Sequence, residues 1–184
     1  PAAPFANFPV PGSTPVQLFG AKGGNGVASL ALRAPRLGTD SLTDDVAMSG
    51  SALASAPNSA NRLLYATAPL TDTVHISGTT RVTLRVAADA KAANLSVWLV
   101  TLPYDSTRRG SEGHRGVITR GWADLRNYKA LTKGGYYTDK NKGEPLVPGA
   151  YHDITFDLEP NDQMIPAGKQ LGVMIMSSDR EFTL

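Results

Sequence analysis

The chain has no cysteine. That excludes disulfides, thiolate metal sites and a cysteine nucleophile, but it leaves the compartment open, because many secreted bacterial proteins also lack cysteine. Aromatic residues are scarce, at 7%, and no apolar run approaches the length that spans a bilayer. Net charge is only +2. Between Asp105 and Glu144 nine basic residues (Arg108, Arg109, Arg115, Arg120, Arg126, Lys129, Lys133, Lys140 and Lys142) face five acidic ones (Asp105, Glu112, Asp124, Asp139 and Glu144). Nucleic-acid domains usually carry a denser basic stripe with interleaved aromatics, so neither nucleic acid nor a membrane is the expected partner. The start is not a methionine and shows no signal-peptide pattern.

Catalytic signatures are missing too. The nucleophile elbow of an α/β-hydrolase, Gly-x-Ser-x-Gly on a strand-to-helix turn, does not occur; Met48-Ser49-Gly50-Ser51 comes nearest and lacks the flanking glycines. Histidine stands only at His75, His114 and His152. His75 and His152 fall within strand patterns, while His114 sits in the Gly-rich stretch Gly110–Gly116, the one histidine with a loop location suited to function. Gly20, Gly23, Gly24 and Gly26 do not make a phosphate cradle, since no Gly-Lys-Ser/Thr follows and the next segment reads as a strand. Asp40, Asp44 and Asp45 offer the hard oxygens calcium wants, but Leu42 and a missing glycine break the EF-hand pattern. Asn94-Leu95-Ser96 is a formal glycosylation sequon whose central leucine reads as buried. No catalytic residue, metal or cofactor is expected.

What the chain does have is glycine, proline and alternation. With 18 glycines and 13 prolines in 184 residues, short strands and tight turns are favoured over helix. Pro1, Pro4, Pro9, Pro11 and Pro15 mark residues 1–14 as a linker from a preceding domain; residues 15–184 form one domain, long enough for its own core. Pro15–Phe19 and Val27–Leu32 read as a hairpin about a turn sharpest at Asn25-Gly26. Residues 33–61 show no strong period, with a helical turn at most over Ser51–Ala56. Strands follow over Arg62–Ala66, Thr73–Ser77, Arg81–Ala87, Leu95–Leu102, Val117–Ala123, and around Phe156 and Val173. Leu95–Leu102 is apolar on both faces apart from Ser96 and Thr101, and reads as a central strand covered on both sides. The period of two predicts that Val82, Leu84, Val86, Leu95, Val97, Leu99, Ile154, Phe156, Leu171, Val173 and Ile175 fill the space between two sheets. The fold class is all-β, an antiparallel β-sandwich. Tyr104, Trp122, Tyr128, Tyr136 and Tyr137 offer either a stacking platform for sugar or ordinary rim packing.

Several segments, in order and spacing, carry a resemblance. They are Arg62-Leu63-Leu64-Tyr65, Pro69-Leu70-Thr71, Ile76-Ser77-Gly78-Thr79, Val82-Thr83-Leu84-Arg85, Thr119–Arg126, Pro145–Gly149, Ile165–Val173 and Ser178-Asp179-Arg180-Glu181-Phe182-Thr183. Together they resemble the C-terminal, non-catalytic domain of the X-prolyl dipeptidyl-peptidase family of serine hydrolases, which also includes cocaine esterase and α-amino acid ester hydrolases. The resemblance implies a jelly-roll sandwich of the galactose-binding-like kind, following an α/β-hydrolase domain that carries the Ser-Asp-His triad. None of those catalytic residues maps onto this chain. It implies a parent similar to peptidases releasing Xaa-Pro dipeptides, favours secretion over the cytoplasm, and implies a further strand beyond the Asp-Arg-Glu segment. The partner is then the preceding catalytic domain of the same polypeptide, which this domain packs against and whose active site it helps wall. The expected contact comes from the loops between Tyr104 and Leu146, with Trp122 and Tyr137 as apolar anchors and His114 and Arg120 beside them. A carbohydrate-binding module of similar fold, and a structural adhesion-like domain, are the alternative functions.

Overall fold

A computed structural model describes residues 6–35, 38–105, 116–131 and 143–180. Its strands are β1 (Phe19–Gly20), β2 (Val27–Ala31), β3 (Leu63–Ala66), β4 (Val74–Gly78), β5 (Arg81–Val86), β6 (Asn94–Leu102), β7 (Val117–Asp124), β8 (His152–Asp157), β9 (Asn161–Ile165) and β10 (Gln170–Met176). Two short helices, α1 (Gly50–Ser55) and α2 (Tyr128–Leu131), and a 3-10 turn at Leu125–Asn127 complete them. One sheet has the order β1-β2-β3-β10-β6-β7. The expected all-β sandwich is therefore present, antiparallel except for one pair: β2 runs parallel to β3, which α1 makes possible by lying on the crossover between them.

The second layer is a two-stranded ribbon, β4–β5 against β9–β8, with one interruption. Gly78 faces Asn161 on one side of it and Arg81 faces Asp157 on the other. Thr79 and Thr80 thus oppose Leu158, Glu159 and Pro160, the extra residue of a bulge. Backbone groups freed by the bulge are taken up by β7: the Glu159 amide donates to the Arg120 carbonyl at 2.8 Å, and the Thr119 hydroxyl donates to the Glu159 carbonyl. This seam ties the edge of the large sheet to the middle of the ribbon. It needs a glycine, because a Cβ on Gly121 would lie 2.8 Å from Leu158 Cδ2 and 3.0 Å from the Asp157 carbonyl oxygen. Gly121→Ala is expected to destabilise the domain by about 1–3 kcal/mol, the usual cost of overpacking; a shift in the urea midpoint no larger than that of an exposed substitution would contradict the close approach.

The alternation read from sequence is what builds the interlayer core. Val82, Leu95, Val97, Leu99, Ile154, Phe156 and Ile175 are buried together, with Leu84, Val86, Leu171 and Val173 packed on them. The outer face of the ribbon is a row of opposed polar pairs. Arg81 pairs with Asp157 at 2.7 Å, the Thr83 and Thr155 hydroxyls are 3.1 Å apart, and Arg85 pairs with Asp153 at 3.7 Å.

The expected cover on the second face of β6 forms a core of its own, and α1, which the sequence left as a helical turn at most, supplies its outer layer. β6 is buried from Leu95 to Leu102, and its other face packs Trp98, Val100 and Leu102 with Leu64, Ala66, Met174, Met176 and, from α1, Leu53 and Ala54. Ser49 caps α1, its Oγ accepting from the Ala52 amide at 3.2 Å. The helix ends at Ala56, extended at ψ 130° as the residue before Pro57 must be. Contact with the sheet is close: a Cβ on Gly50 would sit 2.3 Å from the Trp98 ring. Opposite charges lie buried at the two ends. The Asp179 carboxylate accepts from the Gly50 amide at 3.3 Å. The Arg62 guanidinium donates to the carbonyls of Leu53, Ala56 and Gly26 at 3.0, 2.6 and 3.0 Å. Both signs suit the helix dipole.

Three other readings are corrected. The first strand is two residues, not Pro15–Phe19; Pro15 has no amide to give, and β2 offers partners only from Leu30 and Ala31. The hairpin turn has its left-handed residue at Gly24, φ 64°, just ahead of the Asn25-Gly26 pair that read as its sharpest point. β9 was missed, because Asn161, Asp162 and Gln163 give it no apolar alternation. The three aspartates considered for calcium are spent separately. Asp40 accepts from the Gly23 and Gly24 amides and the Tyr65 hydroxyl, Asp44 from Ser178, and Asp45 from the Ala47 amide. Among the described residues no three metal-ligating side chains converge.

Burial works to raise the pKa of Asp40, but the Gly24 and Gly23 amides, the Tyr65 hydroxyl and the Lys22 charge together hold it below the usual carboxylate value. A carboxyl depressed on folding contributes stability above its unfolded pKa of about 3.9 and loses it as pH falls through the folded value. The stability advantage of the unaltered chain over Asp40→Asn should therefore be full at neutral pH and shrink below about pH 4. Denaturant unfolding of both proteins across that range checks it; an advantage independent of pH would contradict the assignment.

Candidate functional site

β7 carries the two described residues of the expected contact. Because strand side chains alternate, Arg120 and Trp122 share a face, and the register puts them beside Trp98 and Ser96 of β6. This is the α1 side of the sheet, not the ribbon side. The Arg120 guanidinium carbon stands 5.5 Å from the centre of the Trp122 ring, within cation–π range. Both residues are half-buried. Among the described residues, the buried indole Nε1 of Trp122 has no hydrogen-bond partner, and neither has the Ser96 hydroxyl oxygen. Among the described strands β7 is the edge of its sheet, so this pair stands beside the seam where the ribbon bulge meets Thr119 and Arg120. The other two expected contact residues, His114 and Tyr137, lie outside the described residues, as does Tyr136.

Below β7 the chain turns at Asp124, whose carboxylate accepts from the Arg126 amide at 2.9 Å and pairs with its guanidinium at 2.7 Å. Burial pushes the Asp124 carboxyl up, but the bonds from Arg126 outweigh it and hold its pKa below the usual value. α2 then presents Tyr128, whose ring lies against that of His152 with centres 3.9 Å apart and planes tilted by 32°. Lys129 bridges to Glu144 at 2.7 Å.

The described aromatic candidates do not make one platform. Tyr104 packs with the core on the α1 side and meets the Ser51 hydroxyl at 3.3 Å. Tyr128 packs with the interlayer core on the opposite face of the sheet. Trp122 is taken up by Arg120.

One constellation escaped the sequence reading. On the outer face of β4, His75 Nε2 lies 2.6 Å from Asp162 Oδ1, and the Ser77 hydroxyl donates to Asp162 Oδ2 at 3.0 Å. The bond from His75, helped by that from Ser77, holds Asp162 below the usual carboxylate pKa. Ser77 bonds the carboxylate and not the imidazole, so the histidine is not placed as its general base. His75 and Ser77 two apart on a strand were visible as one face; Asp162 opposite them was not, because β9 itself was not visible. Of the serines nearest to an elbow pattern, Ser49 caps α1 and Ser51 faces Tyr104.

A family described as the X-Pro dipeptidyl-peptidase C-terminal non-catalytic domain matches residues 3–184. A Rhodopirellula baltica protein bearing the name Xaa-Pro dipeptidyl-peptidase is 46% identical over 146 residues, covering 79% of this chain and 22% of that protein. One of the same name from Streptomyces avermitilis is 29% identical over 192 residues, covering 85% of this chain and 27% of its own length. The chain thus spans about a quarter or less of these relatives. Among solved structures, an α-amino acid ester hydrolase superposes with a TM-score of 0.58 at 17% identity, covering 84% of this chain and 28% of that one. An aminopeptidase from a marine sediment archaeon, Thaumarchaeota archaeon, gives 0.51 at 18%, covering 65% and 18%. At those identities the likeness is one of fold.

Proposed function

Since the chain belongs to the family of X-Pro dipeptidyl-peptidase C-terminal non-catalytic domains, we propose that it is the accessory sandwich of a larger serine hydrolase, an Xaa-Pro dipeptidyl-peptidase. The observation that carries this reading is the family match across residues 3–184. The 46% identity to a protein named for that activity supports it. In this reading the nucleophile, histidine and acid belong to an α/β-hydrolase domain preceding this one, and the sandwich contributes a rigid wall. The first test is the sequence encoded upstream of Pro1. A Gly-x-Ser-x-Gly elbow there is the expected result, and its absence sinks the assignment.

We place the contact with that domain at the β7 edge. Support comes from Arg120 and Trp122, an arginine and an aromatic of the kinds that dominate interfaces, half-buried on an edge strand. Tyr137 and His114 remain expected members of the same contact. In the full-length enzyme, Trp122→Ala should lower catalytic activity and weaken interdomain association by roughly 2 kcal/mol, the hot-spot scale, whereas Lys91→Ala, at an exposed position, should change neither. The isolated chain is the control for ordinary packing loss. A Trp122→Ala cost that is no larger in the full-length protein than in the isolated chain would remove the interface claim.

A further inference from the structure

Composition casts the first fourteen residues as a passive linker. Residues 6–18 indeed carry no regular secondary structure, yet their path is pinned. The Val10 amide donates to Ser77 Oγ on β4 at 2.9 Å. Pro9 packs on the end of the same strand, where a Cβ at Gly78 would lie 3.6 Å from its ring. Val10, Pro11, Gly12 and Ser13 then form a β-turn closed by a 3.0 Å bond from the Ser13 amide to the Val10 carbonyl. Gly12 sits at φ 88°. Proline at the second position and a left-handed glycine at the third are the requirements of a type II turn. Both backbone polar groups of Val10 are therefore committed, one to the ribbon and one to the turn.

The hold on Val10 has a direction. A serine hydroxyl carries one proton, and that of Ser77 goes to Asp162 Oδ2 at 3.0 Å. The oxygen lone pairs are left for the Val10 amide. Asp162 is itself braced by His75 at 2.6 Å. This accounts for a trio that has the wrong order of contacts for catalysis. Its place in the fold also matters. Asp162 follows Glu159 by three residues, and the Glu159 amide is bonded to the Arg120 carbonyl. Three residues of extended chain reach about 10 Å. Asp162 therefore lies within that reach of the seam at the Arg120 backbone, although the Arg120 and Trp122 side chains face the α1 side of the sheet.

We infer that residues 6–13 are a docked strap, held on β4 by the Ser77–Asp162 pair, which delivers the preceding domain to the β7 rim in a restricted orientation. The occupant of that rim rests on the function proposed above; the strap does not. Amide exchange measured by NMR on this chain should show Val10 protected about two- to tenfold over an unstructured valine, the amount one hydrogen bond supplies. Ser77→Ala should abolish that protection. Thr83→Ala, on the same outer face and bonded to Thr155, should leave it intact. Exchange of Val10 at the unstructured rate in the unaltered chain, or equal protection after Ser77→Ala, overturns the strap. In the full-length protein, spin labels on the two domains should report a broader spread of distances after Ser77→Ala, and an unchanged spread overturns the orienting role. Lack of an upstream nucleophile elbow would instead defeat the hydrolase reading and leave the exchange result standing.

Discussion

Arg62→Ala is expected to destabilise the domain by about 3–5 kcal/mol, the lower part of the range for stranding three buried acceptors. Arg62 is fully buried, and burial pulls its pKa below the usual arginine value. Even so, a guanidinium stays charged at any working pH. Its hydrogen bonds go to three carbonyls from three places: Gly26 in the hairpin, and Leu53 and Ala56 at the end of α1. Truncation strands those acceptors, at about 1–3 kcal/mol for each that stays dry. It also frees the C-terminus of a helix far too short to persist without tertiary support. Arg62→Lys should recover only part of the loss, since one ammonium cannot span three acceptors that a planar fork reaches together. Urea unfolding followed by Trp98, which lies under α1, measures both variants. A loss below roughly 1 kcal/mol for Arg62→Ala would place the side chain in solvent, against the geometry.

Arg62 also shows where sequence reading runs out. Taken as the first residue of a strand, it looks like a surface arginine, and arginine is among the residues least often buried unpaired. Its partners are backbone carbonyls, which no side-chain pattern announces. The cover on the second face of β6 was expected, but the same limit hid the element that supplies it. Met174 and Met176 alternate with Val173 and Ile175, and one of the two sets faces outward in any half-buried strand. Here both faces are covered, because α1, drawn from a stretch with no apolar period, folds over the second. By contrast β5 and β8 were legible throughout, since their outer faces meet water and their alternation is clean. The site was half legible for the same reason. Arg120 and Trp122 two apart on β7 share a face by strand geometry alone. The partner of His75 and Ser77 required the register of β9, whose inward positions include Asn161 and Gln163 and so disguise it as a loop.

The legible core sets the second large effect. Phe156 is 4% exposed and faces Val82 across the ribbon, with Ile154 and Leu158 buried beside it. Replacing a buried phenylalanine by alanine removes its transfer free energy and leaves a cavity that neighbours close only in part, so Phe156→Ala should cost about 3–5 kcal/mol. Collapse is resisted on both sides. The ribbon is pinned to β7 through Glu159 and Arg120, and the large sheet is backed by α1. Phe156→Leu keeps most of the volume and should cost less than about 1.5 kcal/mol. Thr155, one residue away, points outward to Thr83, and Thr155→Ala should cost no more than about 1 kcal/mol, the value of a cross-strand pair. Urea unfolding of the three variants tests the order as well as the sizes. If Phe156→Ala cost no more than Thr155→Ala, the ribbon would have its faces reversed, and with them the outward placing of His75, Ser77 and Asp162 on which the strap depends.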